Sequence, residues 1–285
     1  MRTLLVAASG CAPLNRERFL IVLPRFHVGD TLPLQVGEVC ELPEGAARHV
    51  QVLRMQPGGQ IQLFDGLGRE CVARVTEMGR KQVAVEIESA LSVDRELPIK
   101  VTLAMGMPAN DRMDALIEKA TELGVHAIQP LVCERSVLRL DGERAAKKVA
   151  HWQAVAISAC EQSGRAVVPE VRGVQTLQNW LRVATGDAEA RKGVLSLRDA
   201  VSLRQWLGAE AQAVSEGQAK VEGGFVFLSG PEGGLSATEE QAALDAGWTA
   251  ITLGARVLRA DTAPLAALSV MASLYETGYE AGGEA

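Results

Sequence analysis

The chain has 285 residues, which is long enough for one large domain or two modest ones. Hydrophobic residues make up 47% of it and charged residues 22%, as in an ordinary soluble globular protein, and no apolar run is long enough to span a membrane. The formal net charge of −6 provides no general attraction to nucleic acid, so an RNA partner would require a local basic face.

The first segment, residues 1–23, is predicted to be an extension or the product of a misassigned start codon. Its opening, MRTLLVAASGC, has the arginine, apolar run and cysteine of a lipoprotein signal. The apolar run is shorter than usual, however, and charged residues follow directly. A lipoprotein is therefore the less favoured alternative, and an intact mass of the mature protein would decide between the two.

Residues 24–92 are predicted to form a small β-barrel domain. The alternating segments QIQLFD, ECVARV and QVAVEIE are separated by the turn signals DGLG and EMGRK. Several short strands at this spacing are typical of a small barrel. The segment SVDRELP, residues 92–98, is predicted to be a linker.

Residues 98–285 are predicted to form an α/β domain with a mainly parallel sheet. The short apolar runs VTLAMG, VHAIQPLV, GVLSL, FVFLSG and TAITLG are typical of strands buried on both faces. Helices are predicted over 111–123, 143–163, 175–184, 199–211, 236–247 and 261–277. Because strands and helices alternate, a ligand is expected at the carboxyl ends of the strands.

One strand is followed by the sequence GPEGGL, residues 230–235, which we call the acidic loop. Ser236 and Glu239, directly after it, have the spacing of a capping box that begins a helix. The loop lacks the Lys-Ser/Thr ending of a P-loop and the spacing of a dinucleotide fingerprint. Glu232 disfavours a phosphate and suits a cationic or hydroxyl-bearing ligand. Alternatively, Glu232 is only a carboxylate stabilised by the helix dipole.

The next strand is followed by LGARVLRAD, residues 253–261, which we call the basic loop. Gly254 supplies the turn, and Asp261 or Thr262 is predicted to cap the apolar helix that follows. Pro264 fits the first turn of that helix, where a missing N–H costs nothing. Two successive strand ends thus present one acidic and one basic loop, which are predicted to line one pocket.

SGPEGGLSATEE followed by LGARVLRADTA closely resembles the RsmE family of 16S ribosomal RNA (uracil(1498)-N3)-methyltransferases, members of the SPOUT class. RFHVGD, RHVQVLR, DRMDALIEKATELGVHAIQPLVCERSV and ACEQSGRAVVPEV occur in the family's order, and the likeness covers about residues 24–280. The resemblance implies a PUA-like β-barrel for RNA and a SPOUT domain with a deep trefoil knot that holds S-adenosylmethionine. It also implies a homodimer, 16S rRNA of the small ribosomal subunit as substrate, a cytoplasmic location, and neither membrane nor metal.

The same resemblance implies roles for individual residues of the two loops. Arg259 would stabilise the negative charge of a deprotonated uracil, and Arg165 would assist from the same or the partner subunit. Glu232 would orient the base or accept its N3 proton. The alternative for Arg259 is an ion pair with Asp261 or Glu232. The implied cofactor-binding residues are Leu197, Ser229, Gly230, Pro231, Glu232, Gly233, Gly234, Leu253, Gly254, Leu258 and Arg259.

Basic residues in the family motifs are predicted to contact RNA phosphates, which would position the substrate without reading its sequence. They are Arg25, Arg48, His49, Arg54, Arg112, Lys119, Arg135 and Arg165. For each one, a solvated surface charge is the alternative. The chain departs from the family at Asp261, where the family has a glutamate, so any role that needs the reach of that carboxylate is in doubt.

Two alternative functions remain at this point. One is a SPOUT enzyme that acts on tRNA or on a ribose hydroxyl, and the other is a non-catalytic RNA-binding protein with the same fold. The five cysteines are scattered and never in CxxC spacing, which argues against a disulfide framework or a zinc site and fits a reducing cytosol. Cys133 and Cys160 lie in apolar segments and are predicted to be core residues.

Overall fold

The structure, a computed structural model, describes residues 23–29, 35–80, 82–109, 111–183, 190–208 and 223–276. The predicted N-terminal extension lies outside the described residues except for Leu23. The described residues form one five-stranded sheet and one eight-stranded sheet.

The five-stranded sheet lies in the N-terminal part of the chain, which we call the β domain. Its strands are β1 (Arg25–His27), β2 (Val39–Glu41), β3 (Gln60–Phe64), β4 (Arg69–Met78) and β5 (Val83–Ser92). They are arranged in the order β1-β3-β4-β5-β2, with β1 parallel to β3 and the other pairs antiparallel. Side chains that alternate along β3, β4 and β5 point inward and form its apolar core.

The β domain also contains a helix that the sequence analysis missed, α1 (Glu44–Val52). Ala46, Ala47 and Val50 are its buried residues. Their spacing puts them on one face of a helix, which packs against the core of the sheet. The expectation of strands alone was therefore wrong for this segment.

The eight-stranded sheet is parallel in every described pair, as predicted. Its strands are β6 (Val101–Gly106), β7 (Ala127–Val132), β8 (Glu170–Val171), β9 (Gln175–Thr176), β10 (Arg191–Leu195), β11 (Val201–Ser202), β12 (Phe225–Ser229) and β13 (Thr249–Thr252). The order is β11-β13-β10-β12-β6-β7-β8, and β9 also pairs with β7. The route by which the chain threads through this domain, and hence the knot, stays a prediction.

Both faces of this sheet are covered, which explains why its strands are uniformly apolar. Phe225 and Phe227 pack into one core cluster, whereas Val226 and Leu228 of the same strand pack into another. The covering helices are α2 (Asp111–Glu122), α3 (Gly142–Ser163), α4 (Leu177–Val183), α5 (Leu203–Leu207), α6 (Ala237–Asp245) and α7 (Thr262–Tyr275).

The predicted helix that differs most from the structure is that over 199–211. Val201 and Ser202 pair with β13 as an edge strand, so α5 begins only at Leu203. Ser202 accepts a hydrogen bond from the Gln205 N–H and starts the helix as its N-cap. Gly208 ends the helix, and the last predicted residues, 209–211, lie outside the described residues.

The β domain is joined to the end of α3 by an ion-pair cluster around Glu70. This carboxylate is buried, and it accepts hydrogen bonds from Arg25 at 2.5 Å and from Arg95 at 2.8 Å. The two arginines also donate to the carbonyls of Arg165 and Gly164, at 3.1 and 2.9 Å, just beyond the end of α3. The cluster therefore sets the position of the β domain against the α/β domain.

Candidate active site

A cavity lies where β10, β12 and β13 end. These strands are parallel neighbours, so their carboxyl ends meet at one edge of the sheet. The cavity has a volume of about 650 Å³ and lies between the end of β10, the acidic loop and the basic loop. Every residue that the sequence analysis assigned to the cofactor lines it.

The acidic loop folds tightly back on itself after β12. A Cβ atom on Gly230 would lie 2.5 Å from the Leu235 nitrogen, closer than real Cβ atoms come to backbone atoms, so no other residue fits there without a shift. Gly234 has φ +68°, in the left-handed region that favours glycine. The predicted capping box is confirmed, since Ser236 Oγ accepts from the Glu239 N–H at 3.1 Å and the Glu239 carboxylate accepts from the Ser236 N–H at 3.0 Å.

The carboxylate of Glu232 is held at the mouth of the cavity from the side of β6. Its Oε1 accepts a hydrogen bond from the Ala109 N–H at 2.9 Å and lies 3.6 Å from the Arg112 guanidinium. Arg135 donates to the carbonyls of Gly233 and Leu235, at 2.9 and 3.2 Å. Two arginines that were predicted to contact RNA therefore line the cavity and brace the acidic loop.

The basic loop brings an exposed guanidinium to the opposite wall. Arg259 lines the cavity, and among the described residues no carboxylate lies within 4 Å of it. The alternative ion pair with Asp261 or Glu232 is therefore not formed. Asp261 is the N-cap residue of α7, but its side chain caps no N–H of the helix, so the first of the two predicted caps, Asp261 or Thr262, is not formed. Its Oδ1 is buried without a partner among the described residues.

Arg165, predicted to assist catalysis or to bind RNA, does not reach the cavity. Its side chain is 6% exposed, forms an ion pair with Glu96 and donates to the Thr121 carbonyl at 2.8 Å. Arg25, another predicted RNA contact, is held by Glu70 in the junction. This placement favours a structural role for both arginines.

The remaining predicted RNA contacts lie outside the cavity. Arg48 and His49 are exposed on α1, and Arg54 is exposed just after that helix. Lys119 is exposed on α2, where hydrogen bonds to Glu118 and Glu122 raise its pKa. Lys119 is therefore a cation whose charge is already partly balanced.

Other cavity residues were not identified from the sequence. Ser196 and Arg198 flank Leu197 after β10, and Glu240 lies on α6 one residue beyond the capping box. The Ser196 hydroxyl donates to Glu240 Oε1 and accepts from the Arg198 N–H at 3.0 Å. Proximity to Leu197 is a signal that could have pointed to the first two, but nothing in the sequence pattern distinguishes Glu240 from an exposed helix residue.

The thiols of the buried Cys133 and Cys160 are poorly ionised and therefore poorly reactive. Burial raises the pKa of the Cys133 thiol to about 12, with a smaller contribution from the nearby Glu239 carboxylate, and burial likewise raises that of Cys160 to about 12. Both are core residues, as predicted.

In the described ranges, no cluster of three His, Cys, Asp or Glu residues could hold a metal ion, and no helix is long and apolar enough to cross a membrane.

Two family models match the chain. The RNA methyltransferase domain matches residues 95–272, and the RNA methyltransferase PUA domain matches residues 42–88. The chain belongs to the ribosomal RNA small subunit methyltransferase E family. The Bacillus subtilis protein of that name is 33% identical over 236 residues, which cover 80% of this chain and 86% of the relative.

Solved structures of related methyltransferases have the same fold. Ribosomal RNA small subunit methyltransferase E from Neisseria gonorrhoeae, bound to S-adenosyl methionine, matches with a TM-score of 0.78 and 41% identity, over 89% of this chain and 98% of the other. A putative methyltransferase from Legionella pneumophila, in complex with the same cofactor, has a TM-score of 0.78 and 36% identity, over 88% and 97%. The fold is thus the α/β fold of this family's SPOUT methyltransferases with a PUA-like domain.

The cavity of this chain has the chemistry that an adenosyl cofactor requires. Ser229 Oγ, at the end of β12, is buried and lacks a hydrogen-bond partner among the described residues. A buried hydroxyl without a hydrogen-bond partner lowers the stability of the fold unless a ligand supplies that partner. Leu197 is 52% exposed and Val257 is 84% exposed, so they offer apolar surface that a purine could cover.

Proposed function

We propose that this protein transfers the methyl group of S-adenosylmethionine to N3 of uridine 1498 in 16S ribosomal RNA. The observation that carries the proposal is the single cavity into which the acidic and basic loops both open, in a chain that belongs to the RsmE family. Five arginines and two glutamates line this cavity, and the excess of positive charge suits an RNA substrate.

The cofactor would be held by Leu197, by Ser229 and the acidic loop, and by the basic loop. When bound, S-adenosylmethionine supplies an electrophilic methyl group on a sulfonium. The glycine-rich acidic loop leaves backbone N–H and C=O groups accessible on the cavity wall, where they can bind polar atoms of a ligand. Gly230 and Gly234 are needed for the path of that loop rather than for any chemistry of their own.

The uridine N3 becomes a good nucleophile only after it loses its proton. The exposed guanidinium of Arg259, which lines the cavity, would stabilise the negative charge that then develops on O2 or O4 of the base. Glu232, fixed by Ala109 and Arg112, orients the base or accepts the N3 proton. Positioning of the two reactants contributes the rest, on the order of 7–11 kcal/mol at best.

RNA binding would be shared between the two parts of the chain. We propose that residues 24–92 form the RNA-binding domain and that residues 98–285 form the methyltransferase domain. In the β domain, the exposed Arg48, His49 and Arg54 would bind phosphates of the RNA. The junction around Glu70 would hold that domain at a set orientation to the cavity.

The protein would act as a homodimer in the cytoplasm. Support comes from α7, which contains no charged residue between Thr262 and Tyr275 although part of its surface faces solvent. Ser269, Val270 and Ser273 are exposed on that helix. A helix at a water-facing surface normally carries charges on its outer face. We therefore expect a second copy of the chain to cover the uncharged face of α7.

The proposed function is tested with small ribosomal subunits from cells that lack this modification. The purified protein and S-adenosylmethionine are added, and the 16S rRNA is then read by reverse transcription and mass spectrometry. A methyl group on N3 blocks the pairing edge of uracil, so a stop at position 1498 and a single added methyl group are expected. A modified nucleotide at another position, or methylation of tRNA only, would refute the assignment of the substrate.

A further inference from the structure

We infer that Glu240 is a cofactor-specificity residue whose carboxylate accepts hydrogen bonds from the ribose hydroxyls of the cofactor. This inference rests on the proposed function, because it assumes that the cavity binds an adenosyl compound. Glu240 belongs to neither of the two loops and follows the capping box of α6.

The position of Glu240 is unusual for a charged helix residue. Its side chain is only 13% exposed, and it lines the cavity. A carboxylate is rarely buried to this degree unless its oxygens have partners.

Only one of its two oxygens has a full partner in the described part of the chain. Oε1 accepts a hydrogen bond from the Ser196 hydroxyl. Oε2 lies 3.8 Å from the Arg198 guanidinium, which is beyond hydrogen-bonding distance, and no other described group donates to it. Ser196 is itself fixed by the Arg198 N–H at 3.0 Å. The structure therefore presents a positioned carboxylate oxygen that is open to a donor from a ligand.

The order of the strands indicates which part of the ligand this oxygen meets. β10 and β6 lie on opposite sides of β12. Glu232 is tied to Ala109, which lies beyond the end of β6, whereas Glu240 is tied to Ser196, at the end of β10. The two carboxylates of the cavity thus lie on opposite sides of the acidic loop.

The side of Glu240 is also the side of the exposed apolar Leu197, which directly follows Ser196. Apolar surface suits a purine, and the ribose hydroxyls are the donors closest to a purine in an adenosyl compound. A carboxylate is a common acceptor for ribose hydroxyls in nucleotide sites. The geometry therefore assigns the ribose to Glu240 and leaves Glu232 for the methionine end or the target base.

The test is calorimetric titration with four ligands and does not depend on turnover. The ligands are S-adenosylhomocysteine, 5′-methylthioadenosine, which lacks the amino-acid part, and the 2′,3′-dideoxy forms of both. Glu240→Gln preserves the shape and the contact with Ser196 but removes the charge. It should bind both ribose-containing ligands roughly tenfold more weakly than the wild type. Wild type and variant should bind each dideoxy ligand equally.

Two further variants distinguish a contact between Glu240 and the ribose from general damage to α6. Asp245→Asn changes an exposed carboxylate on the same helix, away from the cavity, and should leave all four affinities unchanged. Ser196→Ala removes the anchor of the carboxylate and should weaken the ribose-containing ligands selectively as well.

The possible failures are distinguishable. If folded wild-type protein binds neither ribose-containing ligand, the proposed function itself fails. If wild type binds and Glu240→Gln binds equally well, the inference is overturned while the function stands. Equal losses with ribose and dideoxy ligands would mean that Glu240 only braces the loop. A loss confined to S-adenosylhomocysteine would place the carboxylate at the amino acid instead.

Discussion

At the scale of single residues, the arginines of the cavity divide into those with partners and two, Arg256 and Arg259, that have no carboxylate within 4 Å in the described ranges. Arg112 pairs with Glu232, and Arg135 donates to two carbonyls of the acidic loop. Arg259 has no carboxylate within 4 Å in the described ranges. A guanidinium that is not neutralised in the resting protein can respond to charge that develops in the substrate. Arg259, which the family resemblance assigns to this role, is therefore available for charge stabilisation, as is Arg256 on the same loop.

We predict that Arg259→Ala lowers kcat roughly 100- to 1000-fold, the range found when one donor to a developing oxyanion is removed. The fold should persist because the side chain is exposed. Single-turnover methylation of small subunits measures the rate, and thermal melting checks the fold. Arg204→Ala, an exposed arginine on α5 outside the cavity, is the matched control. Normal turnover in Arg259→Ala would remove this residue from the mechanism.

At the scale of elements, the acidic loop is shaped by contacts within itself rather than by space reserved for a ligand. The hydrogen atoms of Gly230 face the backbone of Gly234 and Leu235, and the capping box of Ser236 fixes where the loop ends. A side chain at residue 230 would therefore collide first with the loop, not with the cofactor. The cavity wall and the start of α6 form one structural unit.

We predict that Gly230→Val weakens binding of S-adenosylhomocysteine at least tenfold and lowers the free energy of unfolding by about 1–3 kcal/mol, as overpacking does. The cause is displacement of the Leu235 backbone, since the added Cβ would lie 2.5 Å from its nitrogen. Calorimetry and denaturant unfolding measure the two effects. Gly173→Val is the comparison, because a Cβ at Gly173 meets nothing within 4 Å. Unchanged affinity in Gly230→Val would show that the loop does not shape the binding site.

At the scale of the whole molecule, two features organise the enzyme around its cavity. The junction around Glu70 fixes the β domain against α3 through buried and half-exposed ion pairs. Moving the β domain away from α3 would leave the buried Glu70 carboxylate without its arginine partners, which would cost free energy. The orientation of the β domain to α3 should therefore be well maintained. The uncharged surface of α7 offers a place for a second copy of the chain, in line with the proposed homodimer.

We predict that Val270→Glu, which places a charge on the exposed face of α7, converts the proposed dimer into monomers. Val270 is 41% exposed in the single chain, so the variant should fold normally. Sedimentation at several concentrations measures the association. Val52→Glu, at an exposed valine of α1, should leave the dimer intact. A wild-type protein that is monomeric at every concentration, or a Val270→Glu variant that is still dimeric, would contradict the assignment of this surface.

Much of the fold could be predicted because strands buried on both faces carry an unmistakable apolar pattern. VTLAMG and FVFLSG were both recognised, and they form β6 and β12. The segment Glu44–Val52 was missed because its short helix lies among strands, and only packing against their core reveals it. The start of the predicted helix 199–211 was wrong because Ser202 could both pair with a strand and cap a helix, and in the structure it does both, so that the helix begins only at Leu203.

By itself, the sequence determined the family, the parallel sheet and the two loops of the cavity, because each of these depends on residues that are close together along the chain. Only the tertiary structure decided which charges meet. It placed Arg165 in the junction rather than at the cavity, paired Arg112 with Glu232, and brought Glu240 to Ser196 from 44 positions away. Ion pairs and hydrogen bonds act over a few ångströms in space, and no local pattern in the sequence records which distant side chains the fold brings within that range.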